Sequence, residues 1–284
     1  MTTSATTTIS DVTVQNLRQV GIRVENGTVS IGQGVTARGN GAAQGAVACS
    51  AGLCVTGGVA QVTVAANERP SHFDQNPGNG ITVTGQGRIT LTGAPDLTGF
   101  PAAQNPPAVT NGTGSITANQ NGLANFALTS GGNTASVVDG LVANRGAGNG
   151  FNIGAGSNVI VRNSVAAGNA FSGVQIAPNG LGDFANINLG AGGTNGSNIF
   201  QNSAQPNARA GICVGNFANF NLTLSARGNY FGGSRQCLTA TMPVTALTTG
   251  RNGCMGALDV AIETNFGGGQ QNNVRVDLDQ CTDL

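Results

Sequence analysis

The chain has 284 residues and no net formal charge, only 8% of its side chains are charged, and 46 residues are glycine. Nucleic acids and anionic membranes are bound through clusters of basic side chains, whereas the twelve basic residues here are all arginines and stand singly. Disorder is also disfavoured, because disordered chains combine high net charge with few β-branched residues. No apolar run approaches the ~18 residues of a membrane span. Composition therefore indicates an ordered protein that neither binds nucleic acid nor inserts into a membrane.

Short runs that alternate apolar and polar residues recur along the chain and predict β-strands of three to five residues. The runs lie at 12–14, 62–64, 81–83, 89–91, 125–128, 159–161, 187–189, 222–224 and 274–278. Asn-Gly and Gly-Asn pairs between them favour turns, since both residues tolerate left-handed backbone angles. No run of ten residues keeps helical periodicity without a glycine. The sequence therefore predicts an all-β fold.

One phrase returns five times: glycine, an apolar residue, any residue, an apolar residue. The copies are Gly21–Val24, Gly80–Val83, Gly150–Ile153, Gly173–Ile176 and Gly211–Val214. Gly150 and Gly173 lie 23 residues apart, and the apolar residues between the copies also match. A period of roughly 20–50 residues is typical of a solenoid, in which each turn buries its apolar side by stacking on the next. We expect roughly nine or ten turns stacked in parallel register.

The periodicity is weakest in four segments, which are predicted to be insertions between turns: 40–58, 67–79, 93–114 and 233–256. The whole chain, 1–284, is predicted to be one β-helix domain. Its N-terminal turns at 9–91 carry loop insertions, its regular turns occupy 115–232, and disulfides tie down the C-terminal part at 233–284. Asn144, Asn163, Asn202 and Asn229 recur in equivalent turn positions and are expected to form ladders of side-chain amides.

The six cysteines favour disulfides over the alternative of buried free thiols. Their spacing fits no zinc site, which requires two close pairs, and Cys213 occupies the third slot of the phrase, which points away from the core. The predicted pairs are Cys49–Cys54, Cys213–Cys237 and Cys254–Cys281, although six cysteines allow fifteen pairings. Disulfides indicate export to an extracellular, cell-surface or periplasmic compartment. Residues 1–8 lack the basic and apolar segments of a signal peptide, so the protein is either cytosolic or a mature form, and the cysteines favour the mature form.

A family resemblance rests on the stretch 157–164 followed by Gly173–Ile176, and on Ala226–Gly232 with its Asn-Tyr-Phe-Gly ending. These segments resemble the right-handed parallel β-helix repeat proteins of bacteria, of the pectate-lyase-like superfold and its exported surface type. The resemblance implies a right-handed parallel β-helix. The superfamily includes pectate-lyase-like and polygalacturonase-like enzymes, phage tailspikes and adhesins, so it implies no single activity.

The enzymes that the chain resembles need clustered carboxylates on one sheet. The outward slots of the phrase hold Arg23, Thr82, Asn152, Gln175 and Cys213, with no carboxylate among them. This pattern favours a protein without catalytic activity, and no cofactor is expected.

Two groups of residues are weak candidates for a site. The first is Glu68, Arg69, His72 and Asp74, where a carboxylate and the chain's one histidine could serve in acid–base catalysis or hold a metal. The alternative is an exposed polar loop.

The second group is Asp277, Asp279 and Asp283. Alternate residues of a strand share a face, and calcium prefers carboxylate oxygens, so these residues could form a weak calcium site. Three carboxylates without a ligand loop more often form a solvated face.

The preferred function is that of a non-catalytic extracellular or cell-surface protein in adhesion, matrix or polysaccharide binding, with polysaccharide or cell-surface glycan as partner. One alternative is a polysaccharide lyase or glycoside hydrolase. The other is a structural unit that self-associates through exposed solenoid ends.

Overall fold

The computed structural model describes residues 6–42, 49–66, 68–94, 114–130, 132–177, 185–190, 198–200, 206–215, 223–229, 248–249, 260–263 and 275–277. These residues contain β1 (Thr6–Ile9), β2 (Thr13–Gln15), β3 (Val20–Val24), β4 (Thr28–Ile31), β5 (Thr36–Arg38), β6 (Ala51–Val55), β7 (Gln61–Ala65), β8 (Ser71–His72), β9 (Asn79–Gly85), β10 (Arg88–Thr92), β11 (Ile116–Thr117), β12 (Phe126–Ser130), β13 (Ser136–Asp139), β14 (Leu141–Val142), β15 (Phe151–Gly154), β16 (Val159–Arg162), β17 (Val174–Ala177), β18 (Ile187–Asn188), β19 (Ile212–Val214), β20 (Thr223–Ser225), β21 (Thr248–Thr249), β22 (Val260–Glu263) and β23 (Arg275–Asp277). No helix in this part of the chain is long and apolar enough to cross a bilayer.

The strands form three parallel sheets that the chain visits in turn. Sheet A has the order β1-β4-β7-β10-β13-β16-β18-β20-β23, sheet B has β2-β5-β8-β11-β14, and sheet C has β3-β6-β9-β12-β15-β17-β19-β22-β21. Every pairing is parallel. One pass through A, B and C is one coil, and the predicted parallel β-helix is confirmed. Nine strands in A and in C among the described residues agree with the expected number of turns.

Two segments that were predicted to be insertions contribute strands instead. Ala51–Val55 is an internal strand of sheet C, and its Gly52-Leu53-Cys54-Val55 is a further copy of the repeated phrase. Ser71–His72 pairs with strands on both sides in sheet B. The interpretation of 40–58 and 67–79 as excursions was wrong there, because long or polar corners hide the period. Most of 93–114 and 233–256 lies outside the described residues.

The interior of the coils is apolar and closely stacked. Inward side chains of the three sheets form one cluster of Ile, Leu, Val, Ala and Phe. Phe126, Phe151 and Phe200 are fully buried, with ring centroids 5.7 Å apart for the first two and 6.3 Å for the last two. Each coil shelters the apolar side of the next, as the solenoid reading requires.

The turn from sheet B to sheet C, here called the B–C corner, has the same backbone in successive coils. One residue per coil adopts a left-handed conformation, with φ between 54° and 65°. The six residues in this column are Asn16, Gly39, Gln75, Gln120, Arg145 and Gly168. In the coils after the first, the residue that follows is directed back into the corner, whereas Leu17, which follows Asn16, is 46% exposed.

That next position carries a ladder of buried asparagines. The ladder consists of Asn40, Asn76, Asn121, Asn169 and Asn207 at this position and of Asn125, which enters from a neighbouring position, each at most 1% exposed. In Asn76, Oδ1 accepts the Asn40 N–H at 2.9 Å, and Nδ2 donates to the Ala37 carbonyl at 3.1 Å and to Asn121 Oδ1 at 3.1 Å. Each asparagine of the ladder except Asn125 thereby satisfies corner groups of the preceding coil, which would otherwise be buried without partners.

The ladder explains the glycine that begins the repeated phrase. Gly21, Gly52, Gly80, Gly150, Gly173 and Gly211 form a column at the start of the sheet C strands. A Cβ on Gly80 would lie 2.5 Å from Asn121 Nδ2 and 2.6 Å from the Asn125 carbonyl oxygen. Any larger side chain in this column would occupy the volume that the amides fill.

At one place in the B–C corner, asparagine and glycine exchange columns. In the fourth coil the glycine column holds Asn125, and in the fifth coil the ladder column holds Gly146. The Asn125 amide fills the vacant ladder volume, since a Cβ on Gly146 would lie 2.8 Å from Asn125 Nδ2. Asn125 Oδ1 accepts from Asn121 Nδ2 at 2.9 Å, and its Nδ2 donates to Asn169 Oδ1 at 2.9 Å. The ladder therefore stays continuous.

The structure contains ladders of side-chain amides, as predicted, but the four asparagines named from the sequence do not form one ladder. Asn144 belongs to a separate column, where its Oδ1 accepts the Ala167 N–H at 2.8 Å. Asn229 pairs with Asn198 at the corner between sheets A and B. Asn163 donates to Asp139 instead, and Asn202 lies outside the described residues.

Candidate functional surfaces

The first candidate group is divided by the structure. On β8 and the residue after it, Ser71 and Phe73 point inward and are fully buried, so the alternate residues His72 and Asp74 share the outer face of sheet B. Their side chains are 24% and 23% exposed. Glu68 is exposed, and Arg69 forms an ion pair with Asp11 of the first coil. Two of the four residues are therefore brought together.

A buried threonine joins His72 to Asp74. Thr117 on the neighbouring strand β11 is fully buried, and its Oγ1 lies 2.8 Å from His72 Nδ1 and 2.8 Å from Asp74 Oδ2. Asp74 Oδ1 also accepts the Asn119 N–H at 2.6 Å, while the direct distance from His72 Nδ1 to Asp74 Oδ2 is 3.4 Å. We call His72, Asp74 and Thr117 the imidazole cluster.

Sequence reasoning missed Thr117 and Asn119. They lie 45 residues from the positions that they contact, in the coil with the long segment between β10 and β11. The same offset relates Ile81 to Phe126 in sheet C. Alignment of the phrase at Gly80 with Asn125-Phe126-Ala127-Leu128 would have supplied the register, but the asparagine in the glycine position conceals that copy.

The acidic group near the C-terminus is described only in part. Asp277 lies on β23, in register with Ser225 of sheet A. Asp279 and Asp283 lie outside the described residues, so the weak calcium site stays a prediction. In the part of the chain that the structure describes, no group of three or more His, Cys, Asp or Glu side chains could hold a metal ion.

The predicted Cys49–Cys54 disulfide is present, with its Cα atoms 5.7 Å apart. Cys213 is also disulfide-bonded and lies in the outward slot beside Gln175, as expected. It is nevertheless fully buried, in a small cluster with Ala210 and Ala261. Cys237, Cys254 and Cys281 lie outside the described residues, and the pairings proposed for them stay predictions.

The outer face of sheet A forms a second candidate surface in the described part of the chain. One outward residue from each of the first eight strands forms a column, which we call the outer column. It consists of Thr8, Ser30, Thr63, Thr90, Val137, Ile160, Asn188 and Ser225. The inward neighbours Val62, Val64, Ile89 and Leu91 are at most 2% exposed. The alternation of the strands thus fixes the column on the outside.

The first four positions of the outer column carry hydroxyl groups. Thr8 and Thr63 are exposed, and Ser30 and Thr90 are half-buried. Within the described chain, these four hydroxyls make no side-chain hydrogen bond, so their donors and acceptors are available to a ligand. Neighbouring strands lie about 4.8 Å apart, which makes the four groups a regular row along the solenoid axis.

The next two positions are aliphatic and flanked by an ion pair. Val137 and Ile160 are half-buried, and the column beside them contains Asp139 and Arg162, joined at 2.8 Å. Asn163 Nδ2 also donates to Asp139 Oδ1 at 2.7 Å. These contacts orient the charged side chains toward each other. The outer column is therefore a strip of hydroxyls that continues into an apolar step.

No family model, curated protein or solved structure matches this chain.

Proposed function

We propose that the protein is an exported β-helix that binds extended polysaccharide along the outer column of sheet A without cleaving its glycosidic bonds. The observation that supports the proposal is the row of four unpaired hydroxyls, Thr8, Ser30, Thr63 and Thr90, held in register on a rigid sheet. Adhesion to a glycan-bearing surface or matrix is the corresponding biological role. Membership of the pectate-lyase-like superfold is part of this proposal.

The chemistry of the strip suits a sugar chain. A saccharide offers hydroxyl groups at its edges and C–H groups on its ring faces, and the outer column offers hydroxyls followed by Val137 and Ile160. A single hydrogen bond contributes only about 0.5–1.5 kcal/mol net. Affinity would therefore come from several contacts in a row, on strands that need no further ordering when the ligand binds.

Export is supported by the disulfide between Cys49 and Cys54, because structural disulfides persist in oxidising compartments. Zero net charge favours a neutral polysaccharide over a strongly acidic one, since acidic polymers are recognised by basic patches.

The experiment measures retention of the protein on a panel of insoluble and soluble polysaccharides. The variant Thr63→Val/Thr90→Val removes two hydroxyls while keeping side-chain shape. We expect affinity for the bound polysaccharide to fall about ten-fold, which corresponds to about 1.4 kcal/mol.

A matched control is Thr84→Val/Thr129→Val, which removes a pair of hydroxyls on sheet C, where Thr129 Oγ1 lies 3.3 Å from Thr84 Oγ1. This control should bind like the unaltered protein. Equal loss in both variants, or no polysaccharide retained, would contradict the proposal. Release of reducing ends or unsaturated products from the panel would favour the lyase or hydrolase alternative.

A further inference from the structure

The imidazole cluster fixes the proton positions of His72. A carboxylate has only acceptor atoms, so the single hydroxyl proton of Thr117 is donated to Asp74. Thr117 Oγ1 can then only accept from His72 Nδ1, 2.8 Å away. The neutral imidazole must therefore carry its proton on Nδ1 and have its lone pair on Nε2.

The second nitrogen faces away from the cluster's hydrogen bonds. In the described part of the chain, Nε2 makes no hydrogen bond to the protein. It is also not one of the buried polar atoms without a partner. The side chain is 24% exposed, so solvent can reach this nitrogen. An imidazole that is held at Nδ1 by a hydroxyl, itself bound to a carboxylate, and that has a free Nε2 has the arrangement of a general base.

The neighbouring strand adds donors on the same face. Thr36 pairs with His72 across β5 and β8, and Arg38 lies two residues further along the same side of β5. Arg38 uses its Nε on Gln15 Oε1 at 3.3 Å, which leaves its terminal N–H groups to solvent. Arg38 and Asp74 are the charged residues on the strands packed around the ring, since β11 contributes Thr117 and no charge.

We propose that His72 is a general base for the hydrolysis of carboxylic esters, such as O-acyl groups on saccharides, at the outer face of sheet B. Nε2 takes a proton from water as the water oxygen bonds to the ester carbonyl carbon. The tetrahedral intermediate then expels the alcohol oxygen, which receives that proton from Nε2. Acid and alcohol leave, and the imidazole returns to its starting state.

Esters are favoured over other substrates by the groups present. Glycosidic bonds are ordinarily cleaved by two carboxylates that flank the bond, whereas Asp74 is occupied by Thr117 and Asn119. An ester requires one base and stabilisation of a developing oxyanion, for which Thr36 and Arg38 offer donors. The inference is independent of polysaccharide binding, because the cluster lies on sheet B and the outer column on sheet A.

The experiment compares ester hydrolysis by four proteins, using a soluble acetylated oligosaccharide and a small acetyl ester. The unaltered protein should exceed an equal concentration of free imidazole, and His72→Ala should lose at least 100-fold, within the range of general-base contributions. Thr117→Val should lower kcat about ten-fold with KM unchanged, because Thr117 is a positioning residue. Gln120→Ala, an exposed change in the same coil, should hydrolyse normally.

Nitrogen-15 NMR of the histidine ring gives a second readout. The neutral ring should be the Nδ1–H form in the unaltered protein and should shift toward the Nε2–H form in Thr117→Val and in Asp74→Asn. Activity no greater than that of free imidazole, full activity in His72→Ala, or an unaltered protein in the Nε2–H form would each overturn the proposal. Polysaccharide retention by His72→Ala should stay normal, so failure here leaves the proposed binding function separately testable.

Discussion

The B–C corner and the outer column of sheet A are both built from one residue per coil, yet they vary in opposite ways. The corner keeps an asparagine and a glycine at almost every step, and where the pair is exchanged, at Asn125 and Gly146, each change compensates the other. The outer column passes from hydroxyl to aliphatic to amide side chains. A buried polar group needs its partners in every coil, whereas an outward group has water as an alternative. The constant column serves the fold, and the variable column is free to serve a ligand.

The largest loss of stability is expected when an asparagine of the ladder is replaced. Asn76→Ala removes the acceptor of the Asn40 N–H and the donors to the Ala37 carbonyl and to Asn121 Oδ1. Each buried group left without a partner costs about 1–3 kcal/mol, so we expect the free energy of unfolding to fall by about 3 kcal/mol. Denaturant unfolding followed by circular dichroism measures the change.

The control for Asn76→Ala is Asn26→Ala, which replaces an exposed asparagine. It should alter stability by less than about 0.5 kcal/mol. Equal stability of Asn76→Ala and Asn26→Ala would mean that the ladder contributes nothing to the fold.

Substitutions at the exchanged pair, Asn125 and Gly146, should have an intermediate effect on the free energy of unfolding, and the second substitution should reverse the first. Asn125→Gly leaves Asn121 without the acceptor that Asn125 Oδ1 provides and should lower the free energy of unfolding by about 2 kcal/mol. Adding Gly146→Asn should recover most of that loss, because the new amide would occupy the same volume from the usual side. Gly146→Asn alone should also destabilise, since two amides would compete for one site.

A double-mutant cycle on these variants measures the coupling directly. We expect a favourable interaction of about 2 kcal/mol, within the usual range for residues in contact. Additive effects of the two substitutions would show that Asn125 does not replace the missing ladder residue.

The smallest effect on stability is expected in the outer column. Thr63→Val keeps a β-branched side chain at an outward position whose hydroxyl has no partner in the described chain. The free energy of unfolding should change by no more than about 0.5 kcal/mol. A loss as large as that of Asn76→Ala would show that the hydroxyl row is part of the fold and not a free surface.

Part of the imidazole cluster could be predicted from residues that are close in sequence, and its third member could not. His72 and Asp74 are two residues apart on a strand, so their common face follows from strand geometry. Thr117 comes from the next coil, 45 residues on, and long segments between coils conceal that register. For the same reason β6 and β8 were mistaken for excursions.

Local order along the chain was enough to predict an all-β solenoid, the outward slot of Cys213 and the Cys49–Cys54 disulfide, because strand alternation and short spacings are properties of adjacent residues. Only the tertiary structure decided which asparagines join the ladder, why glycine begins each phrase, and which hydroxyls line up on sheet A. Those features depend on the register between coils, which the variable length of the corners sets and which no single turn of the sequence contains.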